Sequence, residues 1–255
     1  GTFVPGFRSL LGAFPRNTIG VYSYSKYFGC TGWRLGVIAL QEDHLLDELV
    51  AKHPKKVLKK LDRRYGTLAL EPRKVKFIDR IVADSRDVAL NHTAGLSLPQ
   101  QVMMSLFSLY ELMDEKKLYQ RACISIVKKR VEATIAGLGI EVAPNEMFDY
   151  YYGIIDFEFW IKKYAGGENV LAWIRKNVHP LDIVFRLARD YGIVLLNGGG
   201  FEAPDWSVRV SFANLEGYVY DDIGRAVREI ALIYRDAYEA SLAAGAKVDR
   251  RVRRR

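Results

Sequence analysis

The segment Ser23-Tyr-Ser-Lys26-Tyr-Phe-Gly29-Cys-Thr-Gly32-Trp-Arg34-Leu-Gly36 constrains this chain more than any other stretch. It lies between residues 19–25, which alternate like a strand, and residues 35–40, a short apolar run suited to a buried strand. A lysine amine that attacks an aldehyde must be unprotonated, which calls for a partly desolvated, electropositive pocket. Tyr24, Tyr27, Phe28 and Trp33 supply apolar surroundings for Lys26. The Ser23 hydroxyl and the Arg34 guanidinium can both reach one phosphate, the arginine as a fork that stays charged. Gly29, Gly32 and Gly36 let the backbone turn and come close to a ligand. A single lysine or arginine would read as a solvated side chain; the fixed spacing of all these positions between two strands favours a cofactor clamp.

This spacing resembles the cofactor-lysine signature of the fold-type I, class I/II aminotransferases. The resemblance implies that Lys26 carries pyridoxal 5'-phosphate (PLP) and shuttles a proton, with Ser23 and Arg34 holding the phosphate. It also implies an α/β fold, the C-terminal half of a PLP-dependent transferase: part of the large domain followed by a small α+β C-terminal domain. The boundary falls between residues 1–114 and 115–255, with an insertion over about 41–95 and a basic tail at 247–255.

The order of elements agrees with that division. Residues 41–65 are charged and helical in tone, interrupted at Pro54, and residues 66–95 are read as helical without a strong period. Ser97 is an N-cap candidate with Pro99 early in the helix. Val102, Leu106, Leu109 and Met113 then form an amphipathic stripe. A second helix runs from Glu115 to Leu138 and stops at Gly139, a natural bridge between domains. From Tyr150 the period becomes two, with Ile155, Phe157, Phe159 and Ile161 on one face of an expected strand. Residues 180–191 read as a helix ending at Gly192, residues 193–196 as a buried strand, residues 207–212 as a third strand, and residues 217–243 as a closing helix.

On that third strand Val208, Val210 and Phe212 point one way, so Arg209 points the other with Ser207 and Ser211. Taken alone, Arg209 is as well explained by solvent exposure. The resembling aminotransferases carry an arginine at this place, after a Gly-rich turn, that grips the substrate α-carboxylate. The resemblance therefore makes Arg209 the substrate ligand and Gly198 to Gly200 the turn that lets the backbone approach.

Composition bounds the partners. The chain has 255 residues, 49% hydrophobic and 27% charged, enough for a sizeable core. No run approaches a membrane span, no signal peptide opens the sequence, and Cys30 and Cys123 match no metal or redox spacing. His44, His53, His92 and His179 form no zinc pattern, so no metal is expected, and the cytoplasm is the default compartment. Of the net charge of +8, residues 247–255 supply +5 through six basic side chains against Asp249, which leaves +3 for the rest. Such a tail reads as solvated and disordered rather than as a nucleic-acid binder.

The wording around Lys26, the opening residues 1–20 and the long segment before Ser97 resemble the aspartate β-decarboxylase branch of the family more closely than its ordinary aspartate aminotransferases. L-aspartate is then the substrate, L-alanine and CO2 the products, and a homodimer or larger homo-oligomer the assembly. A plain aspartate or aromatic aminotransferase is the nearest alternative, and an aminotransferase-like sensor domain of a transcription regulator a more distant one. Gly1 is not a methionine, and Thr2-Phe3-Val4 reads as the end of a strand under way, so a fragment is expected. The family's pyridine-nitrogen aspartate, stacking aromatic and glycine-rich phosphate turn lie N-terminal to the lysine strand. Residues 1–255 alone are therefore expected to be inactive.

Overall fold

The computed structural model describes residues 6–87, 95–143 and 145–252, those beyond 244 by backbone alone. Thr2 to Val4, His92 and Arg253 to Arg255 lie outside the described residues. The chain divides into two compact units, Gly1–Lys117 and Leu118–Arg255.

In the first unit a short helix α1, Leu10–Ala13, is capped by Ser9, whose Oγ accepts from Gly12 N at 3.1 Å. A 3-10 turn, Pro15–Asn17, leads into β1, Gly20–Ser23. This strand pairs antiparallel with β2, Gly36–Ala39, in a register that sets Gly20 opposite Ala39 and Ser23 opposite Gly36. The strand expected over 19–25 thus stops at Ser23, because the chain coils at once into α2, Tyr24–Tyr27, followed by a 3-10 turn, Thr31–Trp33. The second strand is not buried as expected: all four residues of β2 are exposed, and Val21 of β1 is 76% exposed. Among the described residues the two strands pair only with each other.

Pro54 ends α3, Leu45–Ala51, and begins α4, Lys55–Tyr65, by accepting from Val57 N and Leu58 N. A 3-10 turn at Pro72–Lys74 precedes α5, Phe77–Asp87, so residues 66–76 are mostly not the helix expected there. Helix α6, Leu98–Met113, starts as its sequence implies: Ser97 N donates to Gln100 Oε1 at 2.9 Å and Pro99 needs no N–H partner in the first turn.

The second unit is built on α7, Leu118–Leu138, and α11, Val219–Val252. These helices approach closely at two glycines: a Cβ on Gly137 would collide with the Asp221 carbonyl, and one on Gly224 with that of Thr134. The sheet is antiparallel in the order β3 (Tyr152–Asp156), β5 (Ser207–Ser211), β4 (Leu196–Asn197). Helices α8 (Phe157–Tyr164), α9 (Gly167–Asn177) and α10 (Asp182–Tyr191) intervene in sequence. Phe157, Ile161, Ile174, Ile183, Leu187, Val208, Val227 and Ile230 are essentially sealed from solvent and form one core.

Three expectations fail here. Residues 157–161 are helical, because Asp156 accepts from Phe159 N at 3.0 Å and caps α8; its buried residues Phe157, Trp160 and Ile161 follow a helical spacing, and Phe159 is exposed. Residues 193–195 form no strand, Ile193 N donating instead to Leu187 O at 2.9 Å, and Val194 is 81% exposed, so the buried strand there reduces to the two residues of β4. The basic tail is not disordered from residue 247, since α11 continues to Val252.

Candidate active site

Ser23, Lys26 and Arg34 lie on one excursion that leaves β1 and returns to β2. The excursion is closed at its neck by the Ser23 to Gly36 pairing and by Tyr24 N donating to Leu35 O at 3.1 Å. Ser23 Oγ accepts from Ser25 N at 3.2 Å, capping α2; the bond uses a lone pair and leaves the hydroxyl proton to another acceptor. Lys26 is in the last turn of α2 and exposed. Gly29 takes φ +61°, which a side chain would strain. Arg34 adopts the same left-handed region at φ 55°, ψ 47°, unusual for a residue with a Cβ. One of its N–H groups donates to Thr31 O at 3.2 Å, leaving most of the fork for another partner.

The excursion is anchored on α6. Ser108 Oγ donates to Met104 O at 2.8 Å, so the Tyr24 hydroxyl is the donor in its 2.7 Å bond to Ser108. Tyr27 OH donates to Glu111 Oε2 at 2.8 Å, and the other carboxylate oxygen pairs with Lys117 Nζ at 2.9 Å. Phe28 stacks on Tyr24 and on Phe107, with centroids 5.3 and 4.9 Å apart. Gln100 Nε2 donates to Trp33 O at 2.9 Å. Burial first, and the Glu111 carboxylate second, push the Tyr22 phenol above its usual pKa. The packed face of α6 is therefore Met104, Phe107, Ser108 and Glu111, while the apolar stripe Val102, Leu106, Leu109 and Met113 is exposed.

Arg209 belongs to the second unit, on the central strand β5 between Ile154 and Leu196 in register. Val208, Val210 and Phe212 are buried as their alternation requires, and Arg209 is turned the other way. Its guanidinium carbon lies 3.7 Å from the Phe201 ring centroid and 4.4 Å from that of Tyr152. Gly198 is buried against Ser207, where any Cβ would collide; its close approach is to the chain's own strand.

Residues 1–74 match the family described as aminotransferase class I and II. Over 240 residues, 94% of the chain, the sequence is 46% identical to a bifunctional aspartate aminotransferase and L-aspartate beta-decarboxylase of a Pseudomonas species. The class I and II aminotransferase pattern is thus carried by the first 74 residues, and the likeness to the bifunctional enzyme runs through nearly the whole chain. The chain spans less than half, 45%, of the length of that relative.

Class I and II aminotransferases depend on PLP. The donor set of the excursion suits that group: a hydroxyl and a guanidinium for a phosphate, and a primary amine for an aldehyde, all on one segment closed by paired strands. Among the described residues no cluster of His, Cys, Asp or Glu is placed to hold a metal ion, and no helix is long and apolar enough to cross a membrane. Sequence reasoning missed Ser108, Glu111, Tyr152 and Phe201. The aminotransferase signature is local, whereas packing brings Ser108 and Glu111 to it, and in the second unit brings Tyr152 and Phe201 to Arg209. Only the polar and aromatic face opposite the α6 stripe hinted at the first two.

Proposed function

We propose that this chain is part of a PLP-dependent aspartate 4-decarboxylase, which converts L-aspartate to L-alanine and CO2 and transaminates aspartate as a side activity. The carrying observation is the 46% identity, over nearly the whole chain, to a relative named for both reactions. We place it in the cytoplasm as a homodimer or larger homo-oligomer, with a free amino acid as substrate.

In this proposal Ser23 and Arg34 hold the phosphate, the hydroxyl as a donor and the guanidinium as a charged fork. Lys26 is the attachment point; once released by the substrate amine, it moves the proton at Cα. Arg209 takes the α-carboxylate and so orients the bonds at Cα and Cβ. When bound, PLP supplies an electron sink for the charge left as the β-carboxylate departs. A proton replaces that carboxylate at Cβ, so aspartate and one proton give alanine and CO2.

The test is to incubate the full-length protein with L-aspartate and no keto acid. CO2 and alanine are expected in equal amounts, and Lys26→Ala abolishes both together with the visible absorbance of the holoprotein. No CO2 from aspartate alone, with amino transfer appearing once a keto acid is added, would assign a plain aminotransferase instead.

A further inference from the structure

We infer that Phe201, with Tyr152, is a positioning residue that aims the Arg209 fork edge-on at a carboxylate and so sets the enzyme's affinity for carboxylate substrates. This inference rests on the proposed role of Arg209. At 3.7 Å the guanidinium carbon is in van der Waals contact with the Phe201 ring, the separation of two flat groups laid one on the other. Tyr152 brings a second ring face to 4.4 Å. A guanidinium carries all its N–H groups in its own plane, so rings against its faces leave the edge for a ligand. That edge matches a carboxylate in two parallel hydrogen bonds.

The surrounding backbone holds the rings in place. Phe201 closes the 3-10 turn Gly198–Phe201, which is fixed at both ends. Asn197 Oδ1 accepts from Gly199 N at 2.7 Å, and Asn197 Nδ2 donates to Asp205 O at 3.3 Å. Gly198 presses the turn on fully buried Ser207, and Ser207 shares its strand face with Arg209. Glu202 then leaves the turn at φ 57°. Tyr152 is opposite Ser211, which makes it the diagonal neighbour of Arg209 across the β3–β5 pair. A long arginine without these rings would sample many rotamers; here the fork is arranged before the carboxylate arrives, and binding loses less side-chain entropy.

The experiment uses the full-length holoenzyme. Kinetic constants are measured for L-aspartate, and the dissociation constant of succinate, a dicarboxylate without an amine, is read from the shift of the visible band. Phe201→Leu keeps an apolar side chain but removes the π face. It is expected to raise KM and the succinate constant ~3- to 30-fold, the range of a cation–π contact, with a smaller change in kcat. Phe201→Tyr restores the ring and recovers most of the loss. Arg209→Lys weakens carboxylate binding further, and adding Phe201→Leu to it changes little more, because the ring acts through the fork. If Phe201→Leu fails to fold, as read by circular dichroism, Tyr152→Leu is scored by the same criteria. Wild-type affinity in the leucine variant, alongside impaired Arg209→Lys, overturns the positioning role alone. Wild-type carboxylate binding by Arg209→Lys overturns the reading of Arg209 itself.

Discussion

Lys26 hangs from a two-stranded ribbon whose apolar residues Val21, Val37 and Ile38 face solvent, whereas Arg209 rises from the middle of a three-stranded sheet backed by fully buried Val208 and Val210. The first is placed by local means: an N-cap, two paired strands, and four side chains of one helix. The second is placed by a core that includes α8, α9, α10 and α11. The two proposed site residues thus rest on two kinds of support, and disturbing each has a different cost. Where the core holds the site, a distant cavity is felt as lost stability; where caps and aromatic contacts hold it, the loss is small and confined.

The largest expected contrast compares two isoleucines in denaturant unfolding of this chain. Ile230→Ala, at a sealed core position, should lose ~2–5 kcal/mol of stability. Ile38→Ala, on the exposed face of β2, should lose under ~1 kcal/mol, and equal losses would erase the distinction. Next, Gly198→Ala forces a methyl group on Ser207, whose Oγ donates to Pro204 O at 2.5 Å. A cost of ~1–3 kcal/mol is expected, measured as a shift of the unfolding midpoint. A smaller effect, ~1 kcal/mol, is expected for Tyr27→Phe, which removes the hydroxyl bonded to Glu111. Hydrogen exchange should show its loosening confined to residues 23–30, and a loss of protection in β5 would contradict the local account.

The smallest effect is electrostatic. Burial opposes ionisation of Asp182, but the Tyr234 hydroxyl at 2.5 Å and the Arg186 guanidinium at 2.6 Å outweigh it and hold the carboxyl below its usual range. A depressed folded-state pKa gives stability that is present above the unfolded value, near pH 4, and lost as pH falls through the folded one. Asp182→Asn should therefore flatten the acid limb of stability below about pH 4. In the lysine unit Asp62 is also held low, by its bond to Arg73, yet the pair is exposed and screened. Arg73→Ala is expected to leave the acid limb unchanged.

The Lys26 segment was legible in the sequence because its requirements are contained in its own spacing: strand ends, a serine, a lysine, an arginine and a glycine at φ +61°. Helices α6, α7 and α10 were legible for a similar reason, since Ser97 with Gln100, Gly139 and Gly192 mark their limits. Residues 155–161 misled because their alternation of large apolar residues also contains the helical set Phe157, Trp160 and Ile161; one side-chain bond from Asp156 decides between them. The α6 stripe is a different case. Its apolar face marks the helix but is exposed, and the residues that pack are the mixed set opposite, through hydroxyl, carboxylate and ring contacts. Phe201 and Tyr152 carry no local sign at all, because their meaning comes from Arg209, which sheet pairing and a glycine turn bring to them.

The most direct measurement of the central claim is to reduce the full-length holoprotein with borohydride, digest it and locate the phosphopyridoxyl group by mass spectrometry. The account predicts the group on the peptide containing Lys26 and on no other lysine. A group found on a different lysine, or a visible band with no group retained after reduction, would contradict it.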